Sequence, residues 1–235
     1  MRICIPISAA TNQEALTKIK KGFTLAKILE LRIDGIQKVD LEKLLAEKSG
    51  EIIVTNRVRE EGGAFADGER ERVAILKKAV ALGCEYVDLE IRTDEKLLVE
   101  LKEKIADFQR KTQLILSYHN MEGIPNLEDL VKKLEEGQKA GADIVKIVPY
   151  AQKIEDNLHV LSLIPYAQKK GLKIIAFCMG EKGMISRIIA PLMGSYLTYA
   201  SLDKGEESAP GQMTVEEIEQ VFRILDNKGQ LDKNI

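Results

Sequence analysis

Lys146 stands between Ile144-Val145 and Ile147-Val148, so a primary amine interrupts an apolar, β-branched run. Such a run reads as a buried strand, and a lysine inside one is disfavoured unless its ammonium finds a partner or a purpose. One reading is a side chain that follows the strand and ends in solvent or an ion pair. The other is a nucleophile that condenses with a ketone to an imine, whose nitrogen then makes a neighbouring C–H acidic. An ordinary lysine, with a pKa of about 10.4, is neutral only about 0.04% of the time at pH 7. Burial among the arginines of a barrel interior would raise that fraction. Strand position alone does not decide between the two readings.

Ser117-Tyr118-His119-Asn120 closes the preceding strand and puts an imidazole one strand away from the amine. Alone, a strand-end histidine is more often structural. Beside an imine lysine it becomes the general base of near-neutral pKa that proton removal next to a carbonyl needs. The other histidine, His159, falls in an amphipathic segment and reads as a surface or packing residue. Glu30-Leu31-Arg32 sets a carboxylate and a guanidinium on one strand face, because side chains two apart point the same way. Inside a barrel those charges must pair or bind a polar substrate. Arg57, Glu61 and Gly62-Gly63 leave the third strand in a stretch that by itself reads as a charged loop with glycines for turning. Arg187 suits either an exposed helix face or a carboxylate clamp. Residues 205–212, which carry Ser208 and Gln212, suit either a lid or a flexible connection.

Positioning these groups falls to short apolar runs at 3–7, 28–32, 52–56, 86–90, 114–118, 144–148, 174–177 and 196–199. Near-continuous apolar strands are what a parallel sheet covered on both faces requires. Amphipathic segments such as 70–82 and 127–140 alternate with them. Asn126 is placed to cap the fifth helix, Thr214 with Glu217 forms a capping box for the last, and Pro191 should end the seventh. Strict alternation admits a closed barrel or an open doubly wound sheet. Polar candidates follow strand after strand, as at a barrel's C-terminal rim, whereas an open sheet gathers its site at one switch point. No Gly-x-Gly-x-x-Gly follows the first strand. The expectation is an α/β chain folded as a single-domain (β/α)8 TIM barrel over residues 1–226, with a polar C-terminal tail at 227–235.

The 235 residues fall slightly below the roughly 250 of a typical barrel. With 45% hydrophobic and 31% charged residues and a net charge of -2, they read as an ordinary soluble globule. Interleaved charges leave no basic stripe for nucleic acid. Cys4, Cys84 and Cys178 are far apart and form no C-x-x-C pair, which argues against zinc or a disulfide framework and for a reducing compartment. No metal and no cofactor is expected. The sequence after Met1 lacks the apolar core of a signal peptide, and no run approaches the roughly 18 apolar residues of a membrane span. A cytoplasmic protein with no membrane partner is the default expectation.

Seven stretches, in order and at the expected strand ends, resemble the type I 3-dehydroquinate dehydratases over essentially the whole chain. They are Glu30-Leu31-Arg32-Ile33-Asp34, Arg57 with Glu61-Gly62-Gly63, Asp88-Leu89-Glu90, Ser117-Tyr118-His119-Asn120, Asp143-Ile144-Val145-Lys146, Ser186-Arg187 and Ser208-Ala209-Pro210-Gly211-Gln212. The resemblance implies a homodimeric barrel that removes water from 3-dehydroquinate, a shikimate-pathway step toward aromatic amino acids. It implies that Lys146 forms the imine, His119 moves the protons and Glu61 orients His119. It further implies that Arg187 takes the substrate carboxylate, that Ser208 and Gln212 close over it, and that Glu30, Arg32 and Arg57 grip the ring hydroxyls. Phe177-Cys178-Met179 departs from the pattern, because methionines are expected in that stretch and Phe177 could alter packing near the imine. Two rivals are a class I aldolase, also an imine barrel, and a catalytically dead barrel kept for binding. The first should accept sugar phosphates; the second should lack the nucleophile or the base.

Overall fold

The structure, a computed structural model, describes residues 1–108 and 112–226; the tail expected at 227–235 lies outside the described residues. Among the described residues, eight strands alternate with eight α-helices. The strands are β1 (Ile3–Ser8), β2 (Ile28–Arg32), β3 (Glu51–Thr55), β4 (Tyr86–Glu90), β5 (Gln113–Asn120), β6 (Ile144–Pro149), β7 (Lys173–Ala176) and β8 (Thr198–Tyr199). The helices are α1 (Asn12–Leu25), α2 (Leu41–Ala46), α3 (Glu69–Ala81), α4 (Glu95–Asp107), α5 (Leu127–Lys139), α6 (Asp156–Lys169), α7 (Met184–Leu192) and α8 (Val215–Asp226). All ladders are parallel, in the order β7-β6-β5-β4-β3-β2-β1-β8. The expected (β/α)8 barrel is present.

Closure between β7 and β8 does not rest on a ladder. The Tyr196 N–H donates to the Ile174 carbonyl at 2.7 Å, and the Ala176 N–H donates to the Ser195 hydroxyl at 3.3 Å. The Phe177 and Tyr199 rings then pack across the seam, 5.7 Å between centroids.

Period-two alternation sorts the barrel. Leu29, Leu31, Ile52, Val54, Val87, Leu89, Leu114 and Leu116 point outward and form one core with α1 to α4. The inward set changes character along the axis. Cys4, Ile28, Ile53, Tyr86, Ile115 and Ile144 share an apolar cluster toward the N-terminal end. Two residues on, Glu30, Thr55, Asp88, Ser117 and Lys146 make a buried polar layer, topped by Arg32, Arg57, Glu90 and His119. The lower barrel is a packed floor, and the rim carries the chemistry.

Helix ends follow the expected signals. Asn126 Oδ1 accepts the Asp129 N–H at 2.9 Å, and Thr214 and Glu217 exchange the two hydrogen bonds of a capping box. Pro191 lies inside the last turn of α7, which runs one residue beyond it. The proline removes the N–H that would answer the Arg187 carbonyl, and the Thr198 hydroxyl donates to that carbonyl instead at 2.8 Å. β5 extends two residues past the expected end, and β8 begins two later than expected. His159 is exposed on α6, and all three cysteines are buried and unpaired. None of the described helices is long and apolar enough to cross a membrane.

Candidate active site

Lys146 points into the barrel from the middle of β6 and is 4% exposed. Its ammonium donates to Glu30 Oε1 at 3.2 Å, to Asp88 Oδ2 at 3.1 Å and to the Tyr199 hydroxyl at 3.1 Å, and it lies 4.6 Å from the centre of the Tyr199 ring. This corrects the expectation that arginines would be its immediate neighbours: carboxylates from β2 and β4 reach it first. Burial alone would raise the Asp88 carboxyl, but Arg57 and then Lys146 hold it well below the usual carboxylate range. The resting amine is therefore one half of an ion pair.

His119 stands at the end of β5, two residues rimward of Ser117, which faces Lys146 in the ladder. Two residues of strand span about 7 Å, so the imidazole overhangs the amine by roughly the size of a small ring. Glu61 holds it there. A single 3-10 turn, Arg59–Glu61, follows β3 and is closed by Gly62 at φ 80°. Any Cβ on Gly63 would lie 2.0 Å from the Arg57 carbonyl oxygen. The glycines read as turn formers are thus sterically required. Glu61 Oε2 accepts both the His119 backbone N–H, at 2.9 Å, and its Nδ1, at 3.1 Å. Burial pushes the Glu61 carboxyl up to about 7. Burial, then Arg57 and Lys146, holds His119 well below the usual imidazole value, so the ring is neutral. With Nδ1–H given to Glu61, Nε2 is the basic nitrogen.

Beneath this pair lies a buried charge network. Arg57 donates to Asp88 Oδ1 at 2.6 Å, to Glu90 Oε1 at 2.8 Å and to the Ser117 hydroxyl at 2.6 Å. Arg72 reaches in from α3 to pair with the other Glu90 oxygen and to donate to the Thr93 hydroxyl at 3.0 Å. Arg32 forms a bidentate pair with Asp34, 2.9 Å on each arm. Glu30, on the same face as Arg32, turns instead to Lys146 and to the Thr55 hydroxyl at 2.7 Å. Asp88 and Glu90 were visible only as motif letters, although the alternation that singles out Glu30 and Arg32 applies equally to Asp88 and Glu90 in Tyr86-Val87-Asp88-Leu89-Glu90. Ser117, likewise a motif letter, shares the face of His119 two residues on in β5, whereas Arg72 and Tyr199 carried no such signal.

Arg187 is the exception. It is 1% exposed, its guanidinium is buried, and none of its three nitrogens has a hydrogen-bond partner. Burial, unrelieved by any carboxylate, lowers it to about 10. Its carbon lies 4.6 Å over the Phe177 ring, which also packs on Tyr199. The unexpected phenylalanine therefore carries the arginine on its face and braces the aromatic beside the amine. The loop after β8 closes above. Ser208 N–H donates to Gln212 Oε1 at 2.9 Å, and Gln212 Nε2 donates to the Ser208 hydroxyl at 3.1 Å. Pro210 accepts the Gly180 N–H at 2.9 Å, and Lys18 ties down Glu206 at 2.6 Å. The stretch is a seated flap.

Glu30, Arg32, Arg57, Glu61, His119, Lys146, Arg187, Ser208 and Gln212 all line one cavity, together with Tyr199 and Phe177. All nine sequence candidates come together here. Among the described residues, no group of three or more His, Cys, Asp or Glu side chains could hold a metal ion. The cavity is built for a small polar molecule with an anionic end.

Known proteins give the same picture. The sequence pattern of the type I 3-dehydroquinase family matches residues 3–229. The 3-dehydroquinate dehydratase of Desulfotalea psychrophila is 37% identical over 94% of this chain and 96% of its own length. That of Methanocaldococcus jannaschii is 36% identical over 96% and 100%. The crystal structure of 3-dehydroquinate dehydratase from Geobacillus kaustophilus superposes with a TM-score of 0.88 at 25% identity, covering 97% of this chain and 92% of that one. A 3-hexulose-6-phosphate synthase matches at 0.60 and 13% identity, a likeness of barrel alone. With pattern, full-length relatives and barrel in agreement, this chain belongs to the type I 3-dehydroquinase family.

Proposed function

We propose that the chain dehydrates 3-dehydroquinate to 3-dehydroshikimate through an imine on Lys146. One observation carries the reading. A buried guanidinium with no hydrogen-bond partner, Arg187, shares one cavity with a strand lysine and a neutral imidazole. Leaving such a cation dry and unpaired is costly, and a carboxylate in the cavity relieves it. A substrate with a carboxylate for Arg187 and a ketone for Lys146 satisfies both ends.

In this reading Lys146 condenses with the ketone, and the iminium draws electrons from the adjacent carbon. His119 Nε2 takes the proton there, while Glu61 steadies Nδ1–H and the cation that forms. His119 then returns that proton to the departing hydroxyl, so water leaves and the ring gains a double bond. Hydrolysis of the imine frees the enone. Glu30 and Arg32 hold ring hydroxyls. Arg57, with its fork already shared among Asp88, Glu90 and Ser117, contributes to that grip from deeper in the wall. Ser208 and Gln212 exclude water from above and meet the carboxylate end.

Borohydride added during turnover, followed by peptide mass spectrometry, should place a reduced adduct on Lys146. Lys146→Ala should lose both adduct and enone absorbance with its thermal melt intact. Turnover of sugar phosphates alone would favour the aldolase reading, and an intact fold with no adduct would favour a binding barrel.

We also propose a homodimer in the cytoplasm. Ile154, just before α6, and Leu158, in its first turn, are 61% and 67% exposed, with Ile185 at the start of α7 50% exposed. Light scattering of the purified protein reports the assembly. Three unpaired buried thiols suit a reducing compartment.

A further inference from the structure

Imine formation carries its own proton problem. Between a lysine ammonium with a ketone and a protonated imine with water, the nitrogen gives up two protons and the departing oxygen gains both. The C–N bond forms as the carbonyl π pair moves to oxygen, and the C–O bond breaks as the nitrogen lone pair closes the C=N. No external acid or base is consumed, but nitrogen and oxygen on one carbon are too close for a good direct transfer. A hydroxyl touching the nitrogen relieves that strain, because it can take a proton from nitrogen while giving its own to oxygen.

We propose that Tyr199 is that relay, a further catalytic residue that shuttles both protons during formation and hydrolysis of the Lys146 imine. The inference rests on the imine reading above. Its hydroxyl lies 3.1 Å from Lys146 Nζ, it is one of three side chains bonded to that atom, and it lines the cavity. The other two are worse carriers. Asp88 is fixed by Arg57 and by the Ser117 hydroxyl, and Glu30 already accepts from Thr55. Burial, followed by the charge of Glu30, keeps the Tyr199 phenol protonated far above the usual range, so it always holds a proton to give. Its ring is fixed by Phe177 on one side and by the ammonium over its face. Position is therefore set by the ring, and chemistry by the oxygen.

Tyr199→Phe separates the two, since it keeps the ring packing and removes one oxygen. Rapid mixing with 3-dehydroquinate and quenching in borohydride at increasing times should give an adduct on Lys146 that reaches the parent's final extent. It should accumulate at least about tenfold more slowly, the low end of what a proton-transfer group contributes being larger still. A fall in kcat without a rise in KM, and slower exchange of the substrate ketone oxygen with 18O-labelled water, should accompany it. Adduct accumulation and 18O exchange at the parent rate would overturn the relay. Absence of adduct in the parent protein is a different failure and would overturn the lysine imine itself.

Discussion

Glu61 and His119 share one proton position, and their ionisation should set the acid side of the pH profile. His119 must be neutral to act as a base, and Glu61 must be ionised to accept Nδ1–H. Because burial pushes Glu61 up to about 7, the carboxylate is lost as pH falls through neutrality while His119 stays uncharged. The expected kcat/KM profile falls below pH about 7, with the limb belonging to the pair. Glu61→Gln keeps an acceptor for Nδ1–H and removes the titrating acid. The rate should drop, and the limb should move below 6.5 toward the value of His119 alone. A limb that stays near 7 in that variant would take the dyad assignment down. His119→Ala addresses the other partner. Trapping on Lys146 should persist, while elimination slows by roughly 10²–10⁴ as expected for loss of a general base. Near-normal turnover would mean another group removes the proton.

At the scale of elements, two glycines in the flap offer a controlled comparison. Gly205 and Gly211 both sit at positive φ, 87° and 78°, so a Cβ at either strains the backbone by about 1–2 kcal/mol. Around Gly205 there is nothing within 4 Å, whereas a Cβ on Gly211 would lie 2.2 Å from the Gly180 carbonyl oxygen. Gly205→Ala should therefore lower stability modestly and leave KM alone. Gly211→Ala should lift the flap off the loop after β7, move Ser208 and Gln212 and raise KM several-fold. Steady-state kinetics with paired melts decides it, and equal KM in the two variants would show that the flap's seat is irrelevant to binding. The same scale shows what could be read in the sequence. Alternation within strands exposed Glu30 with Arg32, and the interrupted apolar run exposed Lys146. Which carboxylates meet Lys146 could not be read, because β2 and β4 reach it only through barrel curvature. Arg72 sits in Glu69-Arg70-Glu71-Arg72, where only helix phase decides which charge turns inward. Tyr199 ends the short run 196–199, where an aromatic is ordinarily a core residue, so nothing in the sequence singles it out.

Among the described residues, the cations buried around Lys146 are matched by carboxylates, and Arg187 is not. Lys146, Arg57 and Arg72 are matched by Glu30, Asp88 and Glu90, which leaves Arg187 for a ligand. The Glu61–His119 pair, neutral below pH about 7 and singly negative above it, should leave a signature in stability against pH. Glu61, raised from 4.5 to about 7, binds its proton more tightly when folded, so its contribution declines as pH rises across that window, by about 3 kcal/mol. His119 is lowered from 6.5, so the unfolded chain takes up a proton first, and its contribution declines as pH falls below 6.5. The two slopes oppose each other, and the parent protein should be nearly flat between pH 4.5 and 6.5. Asp88, held low chiefly by Arg57 against its own burial, contributes stability that is present above about pH 4 and lost only as pH falls further. Removing one partner should expose the other. His119→Asn should grow more stable as pH falls from 7 to 4.5, and Glu61→Gln should grow less stable below 6.5. Urea midpoints at fixed ionic strength across that range measure both slopes. Parallel slopes in the two variants would mean that the buried proton is not shared between them, and the catalytic pairing would lose its physical basis.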